Sequence, residues 1–141
     1  MTRINVIHPT RLTDQHLLAE YRELPRVFAL AAKAATRVPI PPAYTLGTGH
    51  VKFFYPRTRF LSERQQTLIQ ELLERGYNLA HRTAPAPVLG RDGSWAPDDE
   101  ARDINLQRLR EKLAQAGSKY TYYGKPIPPN FYGLPVVEVQ S

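Results

Sequence analysis

The stretch DQHLLAEYRELPRVF, Asp14 to Phe28, decides how the rest of the chain is read, together with MTRIN, Met1 to Asn5, ahead of it. At 3.6 residues per turn Leu17, Tyr21, Leu24 and Phe28 fall in one line, continued by Ala31 and Ala35, so the spacing predicts an amphipathic helix with that face buried. Arg22, Arg26 and Lys33 share a second stripe, while His16 and Glu23, seven residues apart, share a third with Glu20 near it. Pro25 has no N–H to offer the carbonyl of Tyr21, and its ring crowds that carbonyl, which predicts a bend beside Arg22 and Glu23. Charges opposite an apolar line commonly form a solvated face. The other reading is a basic strip and a carboxylate held at a kink.

The N-terminus offers a nucleophile for that carboxylate to work with. A Thr after Met permits removal of the initiator residue, leaving Thr2 with a free α-amine. An α-amine has a pKa near ~7.7 against about 10.4 for lysine, so roughly a sixth of it is neutral at about pH 7. A neutral amine forms a Schiff base with a sugar or other carbonyl carbon, and a carboxylate such as Glu23 can steady the cation and move protons. By itself, a Met-Thr start is equally consistent with no chemical role.

Three separated blocks carry a resemblance: MTRIN with DQHLLAEYRELPRVF within residues 1–28, LGTGHVKFFY with FLSERQQTLIQELLERGYN within 46–78, and EKLAQ with YTYYGK within about 108–125. In order and spacing these resemble the phage-type pyrimidine-dimer DNA glycosylase and abasic-site lyase family, often called endonuclease V, over more than half the chain. The resemblance implies an all-α, mainly helical fold: a compact single domain of about three helices with long loops and the N-terminal arm threaded between helices. It implies a DNA-repair enzyme that binds double-stranded DNA containing ultraviolet lesions, bends it at the lesion and rotates a nucleotide out of the stack. Carried over residue by residue, Thr2 supplies the α-amine that attacks the anomeric carbon of the dimer's 5′ deoxyribose. Glu23 steadies the developing cation and takes the proton for β-elimination at the 3′ phosphate. Arg3, Arg22, Arg26, Arg108 and Lys112 match basic positions that hold and distort the backbone, and Gln15 and His16 match as polar neighbours that orient the site. For His16 a satisfied helix-face histidine stays open. No cofactor and no metal are implied.

Composition sets limits of its own. The chain has 141 residues, enough for one domain with a modest core, and a formal net charge of +6 with a pI near 9.8, which suits a polyanionic partner or simply a soluble basic protein. No Cys is present, so neither a disulfide framework nor a thiolate metal site is expected. No apolar run has membrane-spanning length and no signal-peptide core is seen. The expectation is a monomer in the cytoplasm of a bacterial or phage-infected cell, associated with the nucleoid, with no membrane partner.

Along the chain, Thr13 is a plausible cap for the first helix, which should reach about Thr36 before the run Val38-Pro39-Ile40-Pro41-Pro42. Gly47 and Gly49 lack the rest of any phosphate-loop signature and read as turns, and Val51, Phe53 and Tyr55 alternate as an extended, core-like segment. His50 has no assigned role. Ser62 and Gln65 form a capping-box pattern for a second helix with Leu61, Leu68, Ile69, Leu72 and Leu73 inside and Gly76 past its end. Residues 81–100, rich in Pro, Gly and Asp, read as a surface loop pinned by Trp95. The third helix runs from about Asp98 to Ala116 on Ile104, Leu106, Leu109 and Leu113, with Arg108 and Lys112 one turn apart as phosphate contacts or as a solvated edge. In Lys119 to Lys125, Tyr120 and Tyr122 are candidate DNA contacts, although an aromatic clasp on the core fits as well. Residues 1–127 form the glycosylase-like domain, and 128–141 an extension, laid on the body, of unassigned role.

Two departures from the family pattern bear on function. Lys119 stands where the family has a Trp, and the Pro-rich segment after the first helix lacks the family's basic character. Three functions therefore stay in view: a glycosylase and lyase for pyrimidine dimers, an abasic-site lyase or glycosylase for another damaged base, and a non-enzymatic basic DNA-binding module. An N-terminal-threonine hydrolase finds no further support in the residues.

Overall fold

In a computed structural model that describes residues 3–116 and 119–133, the first helix begins where a side chain can cap it. The Thr13 hydroxyl accepts the N–H of His16 at 3.1 Å, and α1 runs Asp14–Glu23. Helix α2, Pro25–Lys33, continues from it through Leu24. Because Pro25 cannot donate, the carbonyl of Tyr21 is taken by the side-chain amide of Gln65 at 3.0 Å, a donor supplied from another helix. Leu17, Leu24, Phe28 and Ala31 are buried as their spacing predicts, with Tyr21 half-buried and Ala35 exposed. The helix stops at Lys33, short of Thr36: Ala34 is extended, and Arg91 from the later loop donates to the carbonyls of Ala34 and Ala35 at 2.8 and 3.2 Å.

The aromatic segment is a single helical turn, α3, His50–Phe53, where alternation predicted an extended or loop-like, core-facing segment. The turn puts Phe53 and Phe54 inside together, and they pack with Tyr44, Phe60 and Trp95 in a ring cluster with centroids 5.1 to 6.3 Å apart. Trp95 pins the long loop as expected.

Helix α4, Thr58–Glu74, starts a turn earlier than a cap at Ser62 would allow. Its first N–H groups are met from the loop instead. Thr58 N–H donates to the Arg91 carbonyl at 3.0 Å, the Thr58 hydroxyl accepts from Val88 N–H at 2.9 Å, and Phe60 N–H reaches the Gly93 carbonyl. The Ser62 hydroxyl donates to the Pro85 carbonyl from within the helix. Gly93 lies so close to the Pro56 carbonyl that a Cβ would sit 2.5 Å from the oxygen, so only glycine closes this contact. Helix α5, Asp99–Ala116, is capped by Asp98, whose carboxylate accepts from Ala101 N–H at 2.8 Å, and it buries Ala101, Asn105, Leu109 and Leu113, with Ile104 and Leu106 only partly covered. A short hairpin follows, β1 Thr121–Tyr122 antiparallel to β2 Lys125–Pro126, around Tyr123 and Gly124, both at positive φ. The chain is mainly helical around one core, in which α1 packs on α4 and the arm Ile4–Ile7 runs between α1, α4 and α5.

Candidate active site

The arm is gripped by side chains from five places. Ile4 N–H donates to His50 Nε2 at 2.7 Å, and the Tyr44 hydroxyl donates to the Ile4 carbonyl at 2.9 Å. Val6 and Ile7 N–H both donate to Asn105 Oδ1, at 2.7 and 3.2 Å, while Asn105 Nδ2 donates to Asn5 Oδ1 at 2.7 Å. Asn5 Nδ2 donates to Glu20, and Arg64 donates to the Ile7 carbonyl. An extended segment buried without a partner strand needs side chains to satisfy its peptide groups, as the N–H groups of Ile4, Val6 and Ile7 and the carbonyls of Ile4 and Ile7 are satisfied here. Because His50 Nε2 accepts, its Nδ1 carries the proton and donates to the Thr45 carbonyl at 2.8 Å. Burial, helped by the charge of Arg3, pushes this imidazole down to about 4 against the raising effect of the Thr45 bond, so it is neutral near pH 7.

Clamped in this way, the arm delivers Arg3 to a cleft of about 310 Å³ between α1 and α5. The stripe predicted from spacing, His16 and Glu23 with Glu20 near it, lines one wall, and Ala19 joins them there. The two carboxylates have different fates. Glu20 is buried, bonded to Arg64 at 2.8 and 3.0 Å and to Asn5 at 2.9 Å, so its oxygens are committed to structure. Glu23 is half-buried and, among the described residues, has neither an ion-pair nor a hydrogen-bond partner. Of the acids on this face, Glu23 is the one free to act on something bound.

The remaining walls are basic. Arg108, Lys112 and Lys119 join Arg3 around the cleft, with Tyr120 beside them. Burial, and then the like charge of Arg108, hold the Arg3 guanidinium below its ordinary value, while Tyr44, Glu111 and Glu23 pull it back up. Cations brought together against their mutual repulsion favour an anion between them. Among the described residues, Arg3 Nη1, Arg108 Nε and His16 Nε2 are buried and unpaired. All three side chains line this cleft.

The other sequence-predicted positions lie elsewhere. Gln15 is spent on the hairpin, accepting Thr121 N–H at 2.8 Å and donating to the Thr121 hydroxyl at 2.9 Å. The Tyr122 hydroxyl donates to the Thr10 carbonyl at 2.7 Å, and with Tyr123 its ring lies over the Arg75 guanidinium. Both residues belong to a clasp that closes on Asp14, which accepts from Thr121, Tyr123, Gly124 and Arg75. Arg22 and Arg26 are exposed on the flank of the kink, and Arg22 borders a separate groove with Pro25, Gln65 and His81. Thr2 lies outside the described residues. Sequence reading missed Asn105 as the arm's anchor, for which a polar residue on the apolar stripe of α5 was the available signal, and it missed Tyr132, which had none. Lys119 was noticed only as a departure.

Over residues 1–84 the chain matches the family model described as pyrimidine dimer DNA glycosylase. The match takes in the arm, α1, the kink, α3 and α4, so Arg3, His16, Glu20 and Glu23 fall within it, whereas the α5 wall of the cleft falls outside.

Proposed function

Because the chain belongs to the pyrimidine dimer DNA glycosylase family, we propose that it excises pyrimidine dimers from ultraviolet-damaged duplex DNA through an imine formed by the α-amine of Thr2, and then breaks the strand at the resulting abasic site. The neutral amine adds to C1′ of the dimer's 5′ deoxyribose as the bond from C1′ to the base breaks and its electron pair leaves with the pyrimidine. Loss of a proton from nitrogen and opening of the bond from C1′ to O4′ give the imine. The protonated imine acidifies C2′, Glu23 takes that proton, and the electron pair expels the 3′ phosphate. Hydrolysis of the imine returns the amine and leaves an unsaturated aldehyde on the strand.

One observation carries this reading: an uncommitted carboxylate, Glu23, shares a cationic cleft with the residue that follows Thr2 in a clamped arm. Consecutive Cα atoms are about 3.8 Å apart, so a fixed Arg3 limits how far the preceding residue ranges. Arg3, Arg108 and Lys112 hold the phosphates flanking the lesion. The position of Lys119 favours a second reading within the same chemistry. Its ammonium sits 5.3 Å from the Tyr120 ring centre and lines the cleft, offering a cation to a baseless, phosphate-rich gap where a Trp would offer a stacking face. Cleavage of irradiated duplex, compared with duplex holding only abasic sites, separates the two. Activity on both supports the glycosylase, and activity confined to the second leaves a lyase. In either case Glu23→Gln is expected to bind the duplex as wild type does and to cleave it at least about a hundredfold more slowly. Loss of binding in that variant, or an unchanged rate, would contradict the role given to Glu23.

A further inference from the structure

His16 lies on the cleft wall, yet the group that controls its ring comes from the far end of the described chain. The Tyr132 hydroxyl is 2.7 Å from His16 Nδ1 and accepts Thr13 N–H at 2.9 Å, and the Tyr132 carbonyl accepts from Arg110 Nε at 3.1 Å. Tyr132 is 2 % exposed. The imidazole is held between two aromatic rings, with centroids 4.6 Å from Tyr120 and 5.6 Å from Tyr132. A phenol that already accepts an N–H has one proton to give. An unprotonated Nδ1 receives that proton, whereas a protonated Nδ1 would set two N–H donors, its own and that of Thr13, against the one hydroxyl. The short bond therefore selects the tautomer with its proton on Nε2.

We propose that Tyr132 is a positioning residue, whose hydroxyl fixes neutral His16 as the Nε2–H tautomer so that the cleft presents an uncharged donor, beside Arg3 and Arg108, to a phosphodiester of the bound strand. Nε2 is buried and unpaired among the described residues, as are Arg3 Nη1 and Arg108 Nε. Three unpaired donors on one cleft call for a ligand with several acceptor oxygens, since each buried donor left alone costs free energy. Burial, then Lys119, Lys112 and Arg3, push His16 down to about 4. The donor is therefore neutral, which spares the cleft a further positive charge. Tyr132 lies beyond the residues that match the family model. This inference rests on the reading of the cleft as the DNA site.

Long-range proton–nitrogen correlation spectra of the full chain report the tautomer without any substrate. At a pH just below the ordinary 6.5, we expect a neutral ring protonated at Nε2, and a ring protonated at Nδ1 or a cationic ring there overturns the proposal. Addition of a duplex carrying a tetrahydrofuran abasic analogue should shift the Nε2 proton downfield, and an unmoved resonance in the saturated complex overturns it too. Tyr132→Phe, with thermal melting to confirm folding, should mix the tautomers and slow single-turnover cleavage of an abasic duplex about tenfold, the loss of roughly one hydrogen bond. A rate within about twofold of wild type despite mixed tautomers shows the donor to be idle and refutes the role. Should wild type cleave no damaged duplex, the enzymatic reading of the cleft fails, and the tautomer together with its response to the analogue still decides for or against Tyr132. Should Tyr132→Phe not fold, those two wild-type measurements decide alone.

Discussion

Asn105 shows at the scale of one residue how the site is built. It is fully buried in the middle of α5, and its single side-chain oxygen accepts the N–H groups of both Val6 and Ile7. Asn105→Ala strands both donors, and each costs about 1–3 kcal/mol. Chemical denaturation should therefore show a loss of about 2–6 kcal/mol, with strand cleavage reduced even where the variant is fully folded, because the arm loses its anchor to α5. A loss under about 1 kcal/mol, or full cleavage activity, would mean that the arm is held without it. The choice between Glu20 and Glu23 belongs to this scale as well. Both were visible on one stripe of the sequence, but which was free was not, since the partner that consumes Glu20 is Arg64, 44 residues further on. Spacing reports faces, while pairing depends on what tertiary structure brings to each face.

Among the elements, the break between α1 and α2 at Leu24 is the most legible. A proline opposite the Tyr21 carbonyl had to leave that oxygen without its helical donor, and the structure adds what local sequence could not, the donor from Gln65 on α4. The two positions should be coupled. Gln65→Leu should cost about 1–2 kcal/mol by leaving a part-buried carbonyl without its donor, and adding Pro25→Ala, which restores a backbone donor at the same place, should recover part of it. A coupling of at least about 0.5 kcal/mol in the double-mutant cycle is expected. Strict additivity would show that the carbonyl is satisfied some other way. The same Gln65 misled the reading of α4: Ser62 and Gln65 have capping-box spacing, but that helix begins at Thr58 and is met by Val88, Arg91 and Gly93 from a distant loop. Caps made by neighbours in sequence can be read locally, and caps made across the fold cannot. The single turn of α3 was hidden for a related reason, since its aromatic residues suit a pleated or a helical burial equally until Tyr44 and Trp95 close over them.

For the whole molecule, the imidazoles of buried His50 and half-buried His16 set the response to acid. His16 and His50 are both pushed down to about 4 from 6.5, so between those values the unfolded chain binds protons that the folded one refuses. Stability is complete above about 6.5 and falls as the pH drops toward 4, by something of the order of 3 kcal/mol for each ring. Asp14 acts in the same direction at lower pH. Burial raises its pKa, but the hydrogen bonds from Thr121, Gly124, Arg75 and Tyr123 outweigh it, so its contribution is present above the ordinary carboxylate value and lost below it. Thermal melts across this range should show a steep acid limb, shallower in His50→Gln; a flat profile from pH 7 to 4 would mean the rings are not buried neutral. The fold that produces this behaviour exists around an arm of four residues, Ile4 to Ile7, whose peptide groups are bound by side chains from α3, α4, α5 and the loop at Tyr44, and whose Asn5 side chain is bound by Glu20 of α1. Glu20, Asn105, His50 and Arg64 together hold the arm that carries Arg3 into the cleft. The cleft also contains two lysines, Lys112 and Lys119, so the identity of the reacting amine is the sharpest question that can be put to it. Borohydride reduction of the protein on an abasic duplex, followed by peptide mapping of the trapped adduct, answers it. The expected result is attachment at the Thr2 nitrogen and no adduct after N-terminal acetylation, whereas attachment at Lys112 or Lys119, or an adduct that survives acetylation, would contradict the role proposed for the Thr2 amine.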